Sequence, residues 1–246
     1  MTILPAHDMP DDYDWLPGSA RFPMADMGEL AVRLGSPVTF DRRGDVLWLD
    51  TIAGGLGSWT AVTGGLGSTV NVTTNYPLHG KYTLALVAGS TLDHTAQIRK
   101  RLSNIAMLRS GLEVAFWLNT PGESFILFLT RFDGINQVGA NISVWSGPKT
   151  LEYRDPAGAY HTIAHIGSID NNEGVYHHLK VVADFTLGQY VRVIWDDHEY
   201  DLSGIPLWQV PALDIKQYRV LIAQYGVLAS NDIAYIGHVI ITGNEP

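Results

Sequence analysis

Along most of the chain, apolar and polar residues trade places at every second position, the period of a strand with one buried face. His178-Leu179-Lys180-Val181-Val182-Ala183-Asp184 shows the pattern, and so does the run from Val46 to Asp50. Glycine, proline and aspartate clusters interrupt these runs every 8 to 15 residues, too soon for a helix-rich core. The spacing predicts strands at 46–50, 69–73, 82–87, 94–100, 111–118, 124–130, 138–145, 150–153, 160–165, 176–184, 190–195, 198–201, 217–224 and 233–241. Ser124 to Thr130 and Tyr235 to Ile241 are almost wholly apolar, so those strands should be covered on both faces. This many short strands, with almost no 3.6-residue periodicity, predict an all-β domain of two stacked antiparallel sheets.

The first 25 residues break the pattern. Pro5, Pro10, Pro17 and Pro23 block both a helix and a central strand. Asp8, Asp11, Asp12 and Asp14 add charge, while Tyr13, Trp15 and Phe22 are large apolar groups that a purely disordered tail would lack. An extended arm lying on a surface is expected. A short helix over about 26–34 follows, because Leu30, Val32 and Leu34 run into Gly35 and Pro37. The chain thus divides into an arm at 1–44 and a sandwich at 45–246. GGLGS occurs at 54–58 and again at 64–68, which reads as a pair of glycine-rich loops.

Composition narrows the chemistry. Cysteine is absent and the formal net charge is −9, so a disulfide framework, a thiol nucleophile and a general nucleic-acid footprint are excluded. The acidity also disfavours anionic membrane surfaces. No apolar run approaches the roughly 20 residues that a membrane helix needs, and the first 15 residues have no signal-peptide pattern.

From residue 50 onward the order of features resembles the concanavalin A-like, laminin-G-like and carbohydrate-binding-module jelly rolls. The residues that carry the likeness are Asp50, Trp59, LHGKYTLALVAG at 78–89, Tyr176-His177-His178, Asp184 with Gly188, Asp196-Asp197, and AYIGHVIITG at 234–243. MADMGELAVRLGSPVTFDRRGDVLWLDTI is similar to leaders of virion-associated proteins of tailed phages. The resemblance implies a jelly-roll β-sandwich over about 200 residues and a structural hydrogen-bonding role for His177. It also implies one structural Ca²⁺ near the first and last strands, with Asp50 and Asp232 as ligands. Glycosidases of the group carry Glu-x-Asp-x-(x)-Glu on one strand. Here the nearest match, Glu199-Tyr200-Asp201, lacks the second Glu, and the distant pair Glu113 and Glu152 is the remaining option.

Other constellations stay weak. His161 and His165 would lie about 13 Å apart on a strand, His177 and His178 face opposite ways, and no zinc-type His–carboxylate cluster stands out. Neither GxSxG nor a phosphate loop occurs. Trp208, Trp145, Tyr153 and Tyr160 are the candidates for stacking on a sugar or anchoring an interface. Trp208 leads, from its Pro-flanked loop. Arg99, Lys100 and Arg101 form a cationic run that could dock the acidic arm (Asp11, Asp12, Tyr13 and Trp15) of a neighbouring subunit.

The expectation is therefore a non-enzymatic structural or assembly protein, a virion accessory or decoration subunit with other protein subunits as partners (a homo-oligomer or a capsid). A carbohydrate-binding domain is the alternative and a glycoside hydrolase the third. No cofactor beyond calcium, no nucleic acid and no membrane partner is expected.

Overall fold

The computed structural model describes residues 41, 43–91, 93–103, 109–119, 124–167, 169, 174–226 and 232–246. The predicted arm and the helix at 26–34 lie outside the described residues.

Residues 43–246 form one compact unit, and their described residues form sixteen strands. They are β1 (Asp45–Asp50), β2 (Thr60–Gly64), β3 (Thr69–Thr73), β4 (Thr83–Val87), β5 (Thr95–Ser103), β6 (Arg109–Leu118), β7 (Ser124–Phe132) and β8 (Asn136–Trp145), followed by β9 (Thr150–Arg154), β10 (Tyr160–His165), β11 (His177–Asp184), β12 (Gln189–Trp195), β13 (His198–Asp201), β14 (Trp208–Pro211), β15 (Gln217–Tyr225) and β16 (Ile233–Gly243). They build two eight-stranded sheets. The first runs β13-β12-β11-β6-β16-β4-β3 with β1 also on β16, and the second runs β10-β9-β8-β7-β15-β5-β2 with β14 on β8. The described pairings are antiparallel, and sequence neighbours often lie in opposite sheets, as β6 and β7 do. This is the two-sheet antiparallel sandwich that the alternation predicted, in the jelly-roll form that the resemblance implied.

The alternation sets the core. Leu112, Val114, Phe116 and Leu118 of β6 face Phe125, Leu127 and Leu129 of β7 across the sandwich, with Leu179, Val181, Val220 and Ile222 beside them. Each such side chain, removed from water, contributes about 1.5–3 kcal/mol. Phe116 and Phe125 stack at 4.1 Å between centroids. Tyr190 spans the gap between sheets: its hydroxyl accepts from the Asn141 amide at 3.0 Å and donates to the Arg154 carbonyl at 2.8 Å. Strands β7 and β16 are covered on both faces, as their unbroken apolar runs predicted.

Two local readings need correction, and β16 adds a feature that the sequence did not announce. The stretch between the two GGLGS copies is strand β2 on the second sheet, paired with β5, because Val62 and its neighbours complete that sheet's edge. Trp208 lies in strand β14, opposite Gly139, not in a free loop. In β16 the buried parity switches from Ala234 and Ile236 to Val239 and Ile241. The cause is a bulge between Ile236 and His238, where an extra residue turns every later side chain to the other face. Gly237 is required there, since a Cβ would come within 2.6 Å of Leu78 Cβ.

Candidate functional site

The register of the second sheet composes its outer face in rows. Tyr225, Ser124 and Trp145 stand opposite one another on β15, β7 and β8. The next row holds Ala223, Ile126, Ser143 and, on β9, Glu152. Two residues further along come Phe128 and Asn141, with Arg154 of β9 facing Tyr160 of β10. Ala223 and Ser143 are small members of the middle row, and a depression opens on this face between the rings. It is a cavity of ≈ 340 Å³ lined by Asp93, Ser124, Ile126, Trp145, Arg154, Tyr160, Tyr225 and Gly226.

Some polar groups on this face are left unsatisfied. Among the described residues, the indole nitrogen of the lining residue Trp145, and Ser143 Oγ and Asn141 Oδ1 on the same face of β8, are buried without a hydrogen-bond partner. Such groups are uncommon in folded proteins and ask for an explanation. Arg154 donates from Nε to the Gly158 carbonyl at 3.1 Å. Its guanidinium lies 5.1 Å from the Trp208 ring centroid and 5.8 Å from that of Tyr160. Trp208 in turn leans on Phe128 at 5.3 Å, an approach that Gly139 opens, since a Cβ there would meet the Phe128 ring at 2.8 Å. Burial pushes the hydroxyls of Tyr160 and Tyr225 above their ordinary range, against the pull of the Arg154 charge. Both stay protonated donors at neutral pH. Stacking on rings and hydrogen bonding from Arg, Trp, Tyr and Ser is the chemistry this lining offers.

Among the expected ring residues, Trp145 and Tyr160 line the cavity and Trp208 borders it through Arg154. Tyr153 turns the other way, into the core side, where it meets Tyr190 edge-on at 5.7 Å. Tyr225 and Arg154 were not singled out from sequence, because only the strand order brings them beside Trp145.

Other expectations resolve against the geometry. Glu113 lies on the outer face of the first sheet and Glu152 on that of the second, so the ~10 Å core separates them and they share no cleft. Glu199 sits on the edge strand β13 in an ion pair with Arg43. The run Arg99-Lys100-Arg101 is split by strand alternation. Arg99 bonds Gln97 on the outer face at 2.8 Å, whereas Lys100 crosses to the Trp48 ring at 4.9 Å, so the three are not one cationic patch. The arm residues Asp11, Asp12, Tyr13 and Trp15 lie outside the described residues.

The calcium assignment to Asp50 and Asp232 fails on distance. Asp50 stands opposite Val239, seven residues along the chain from Asp232, or roughly 23 Å of extended strand. The Asp50 carboxylate instead accepts from the Ile52 amide at 2.7 Å and the Trp59 indole at 3.0 Å. His177 does bond within the fold, to Asp196 at 2.8 Å, with its ring stacked on Trp195.

Among the described residues, no helix is long and apolar enough to cross a membrane.

No family model matches the sequence, and no curated protein matches it. Solved structures share the fold at low identity. A conserved carbohydrate esterase from the Shiga toxin-encoding bacteriophage phi24B aligns at TM-score 0.55 and 13% identity, over 82% of this chain and 100% of that one. An endo-β-1,4-glucuronan lyase from the fungus Trichoderma reesei aligns at 0.53 and 12%, over 81% and 96%. A Bacillus licheniformis β-glucanase aligns at 0.50 and 12%, over 80% and 98%. The likeness fixes the architecture and overturns one expectation. The absence of a recognised catalytic motif had suggested a non-enzymatic protein, but the same sandwich carries esterase, lyase and glucanase members, so that exclusion does not stand. The chain has the two-sheet jelly-roll fold of these solved structures.

Proposed function

We propose that residues 45–246 recognise a glycan in the cavity bounded by Trp145, Arg154, Tyr160 and Tyr225. The supporting observation is the ring lining of that cavity together with buried polar atoms, Trp145 Nε1 in the lining and Ser143 Oγ beside it on β8, that no described residue satisfies. A pyranose presents an apolar face for the rings and hydroxyls for those atoms in one rigid body. Arg154 adds a fixed cation, which suits an acidic sugar. A role in virion assembly was read from the leader-like stretch 24–52 and from the arm at 1–25, and most of these residues lie outside the described ones, so the cavity favours the glycan reading.

The test is a glycan array followed by calorimetry on the full chain, with the product mixture checked for cleaved or de-esterified sugar. Trp145→Ala should weaken binding of a captured glycan by about tenfold or more, the worth of one aromatic contact with its hydrogen bond. Failure of the wild type to bind any glycan, acidic ones included, would sink the proposal. So would undiminished binding by a folded Trp145→Ala.

A further inference from the structure

On the outer face of the first sheet, three strands bring together side chains that are far apart in sequence. Ala115 of β6 stands opposite His178 of β11 on one side and His238 of β16 on the other. The two imidazoles flank a position that carries only a methyl group, and their ring centroids are 5.4 Å apart. Glu113, two residues back on β6, emerges on the same face. One ligand atom from each of Glu113, His178 and His238 falls within 4.8 Å of the other two.

The surroundings orient these groups. His238 is 1% exposed. Its Nδ1 lies 3.3 Å from His79 Nε2, and in the tautomer that donates from Nδ1 to His79 the Nε2 lone pair is open to a metal. That nitrogen is buried, has no hydrogen-bond partner among the described residues, and lies 3.8 Å from Glu113 Oε1. The bulge at Gly237 carries His238 to this face, because unbroken alternation after Ile236 would have sent it into the core. His178 is anchored by its backbone amide, which donates to Asp196 Oδ1 at 2.8 Å. Its ring is half-buried, which leaves an approach from solvent.

We infer that Glu113, His178 and His238 form a binding site for a zinc-type divalent transition-metal ion. Two imidazole nitrogens and one carboxylate are a borderline N/O donor set, suited to Zn²⁺, Co²⁺ or Ni²⁺ and poor for Ca²⁺, which takes six to eight oxygens. The His79–His238 contact is the outer-shell hydrogen bond that metal-bound histidines carry. Three protein ligands leave a position open in a tetrahedral complex. The site lies on the opposite sheet from the sugar cavity and does not depend on that reading.

Full-length protein stripped with a chelator should take up one Zn²⁺ or Co²⁺ per chain. Glu113→Gln and His238→Ala should each weaken uptake by more than about tenfold, while His161→Ala, on an exposed strand of the other sheet, should leave it unchanged. Because a buried variant can fail to fold, X-ray absorption on the zinc-loaded wild type gives an independent reading. The expected shell has two imidazole nitrogens and carboxylate oxygen at about 2.0–2.2 Å. A wild type that binds no ion stoichiometrically, folded variants that bind as well as wild type, or a shell without two imidazoles would each overturn the site.

Discussion

The two outer faces of the sandwich follow the same strand geometry, and one cluster on each uses it in opposite ways. On the second sheet, rings and small polar groups border a cavity, and Trp145 Nε1 and Ser143 Oγ have no hydrogen-bond partner among the described residues. On the first sheet, the ionic groups around Glu245 are buried and paired. Lys180 Nζ lies 2.8 Å from Glu245 Oε1 with both side chains fully covered, and Arg192 and Thr242 meet the same carboxylate. Gly111 makes room for it, since a Cβ there would come within 2.9 Å of Glu245 Oε1. Breaking a cluster whose buried charges pair with one another should cost stability, whereas removing a buried polar atom that no described residue satisfies should cost the fold little.

Removing single groups would test that contrast. The largest effect should come from Glu245→Ala, which leaves Lys180 and Arg192 buried without their shared carboxylate. The expected loss is about 3–5 kcal/mol of unfolding free energy, read from urea melts. A loss below about 1 kcal/mol would mean that the charges reach water and the contrast is false.

Ser143→Ala on the other face should behave in the opposite sense. Its hydroxyl is buried and unpartnered, so its removal should leave stability unchanged or raise it by about 1 kcal/mol, while affinity for the captured glycan falls. Destabilisation by more than about 1 kcal/mol would show that the hydroxyl serves the fold.

The smallest effect concerns the margin of the charged face. Arg109 and Asp184 stand opposite each other on β6 and β11, 3.2 Å apart. Burial raises the Asp184 pKa, but the amides of Leu187 and Thr186 and the Arg109 guanidinium together outweigh it, so the carboxyl lies below the ordinary value. A depressed folded pKa means that the unfolded state takes up the proton first as pH falls. The contribution is therefore present above the unfolded value near 3.8 and is lost as pH drops through the folded one. Asp184→Asn should lower the melting temperature at pH 7 and flatten its decline below pH 4. An unchanged acid slope would remove Asp184 from the account.

Much of the frame was legible in the residues themselves. Alternation located most strands, and the unbroken apolar runs correctly marked β7 and β16 as covered on both faces. Asp184 and Gly188 announced the hairpin between β11 and β12, where Asp184 caps the turn amides and Gly188 takes a φ of 66°. Short or glycine-flanked edge strands such as β2, and β14 with its prolines, were read as loops, since an edge strand needs little apolar signal of its own. The two sites were harder to see. Nothing in the spacing of Glu113, His178 and His238, or of Trp145, Arg154 and Tyr225, marks them as neighbours.

The sequence by itself determined which side chains face the core, because a period of two is a local property of an extended backbone. The tertiary structure alone decided which strands lie side by side, in what register, and where the Gly237 bulge reverses the parity of β16. Those choices are made by hydrogen-bond pairing and burial between segments many tens of residues apart. The inner faces could therefore be read in advance, while the chemistry of the outer faces appeared only once the strands were in order.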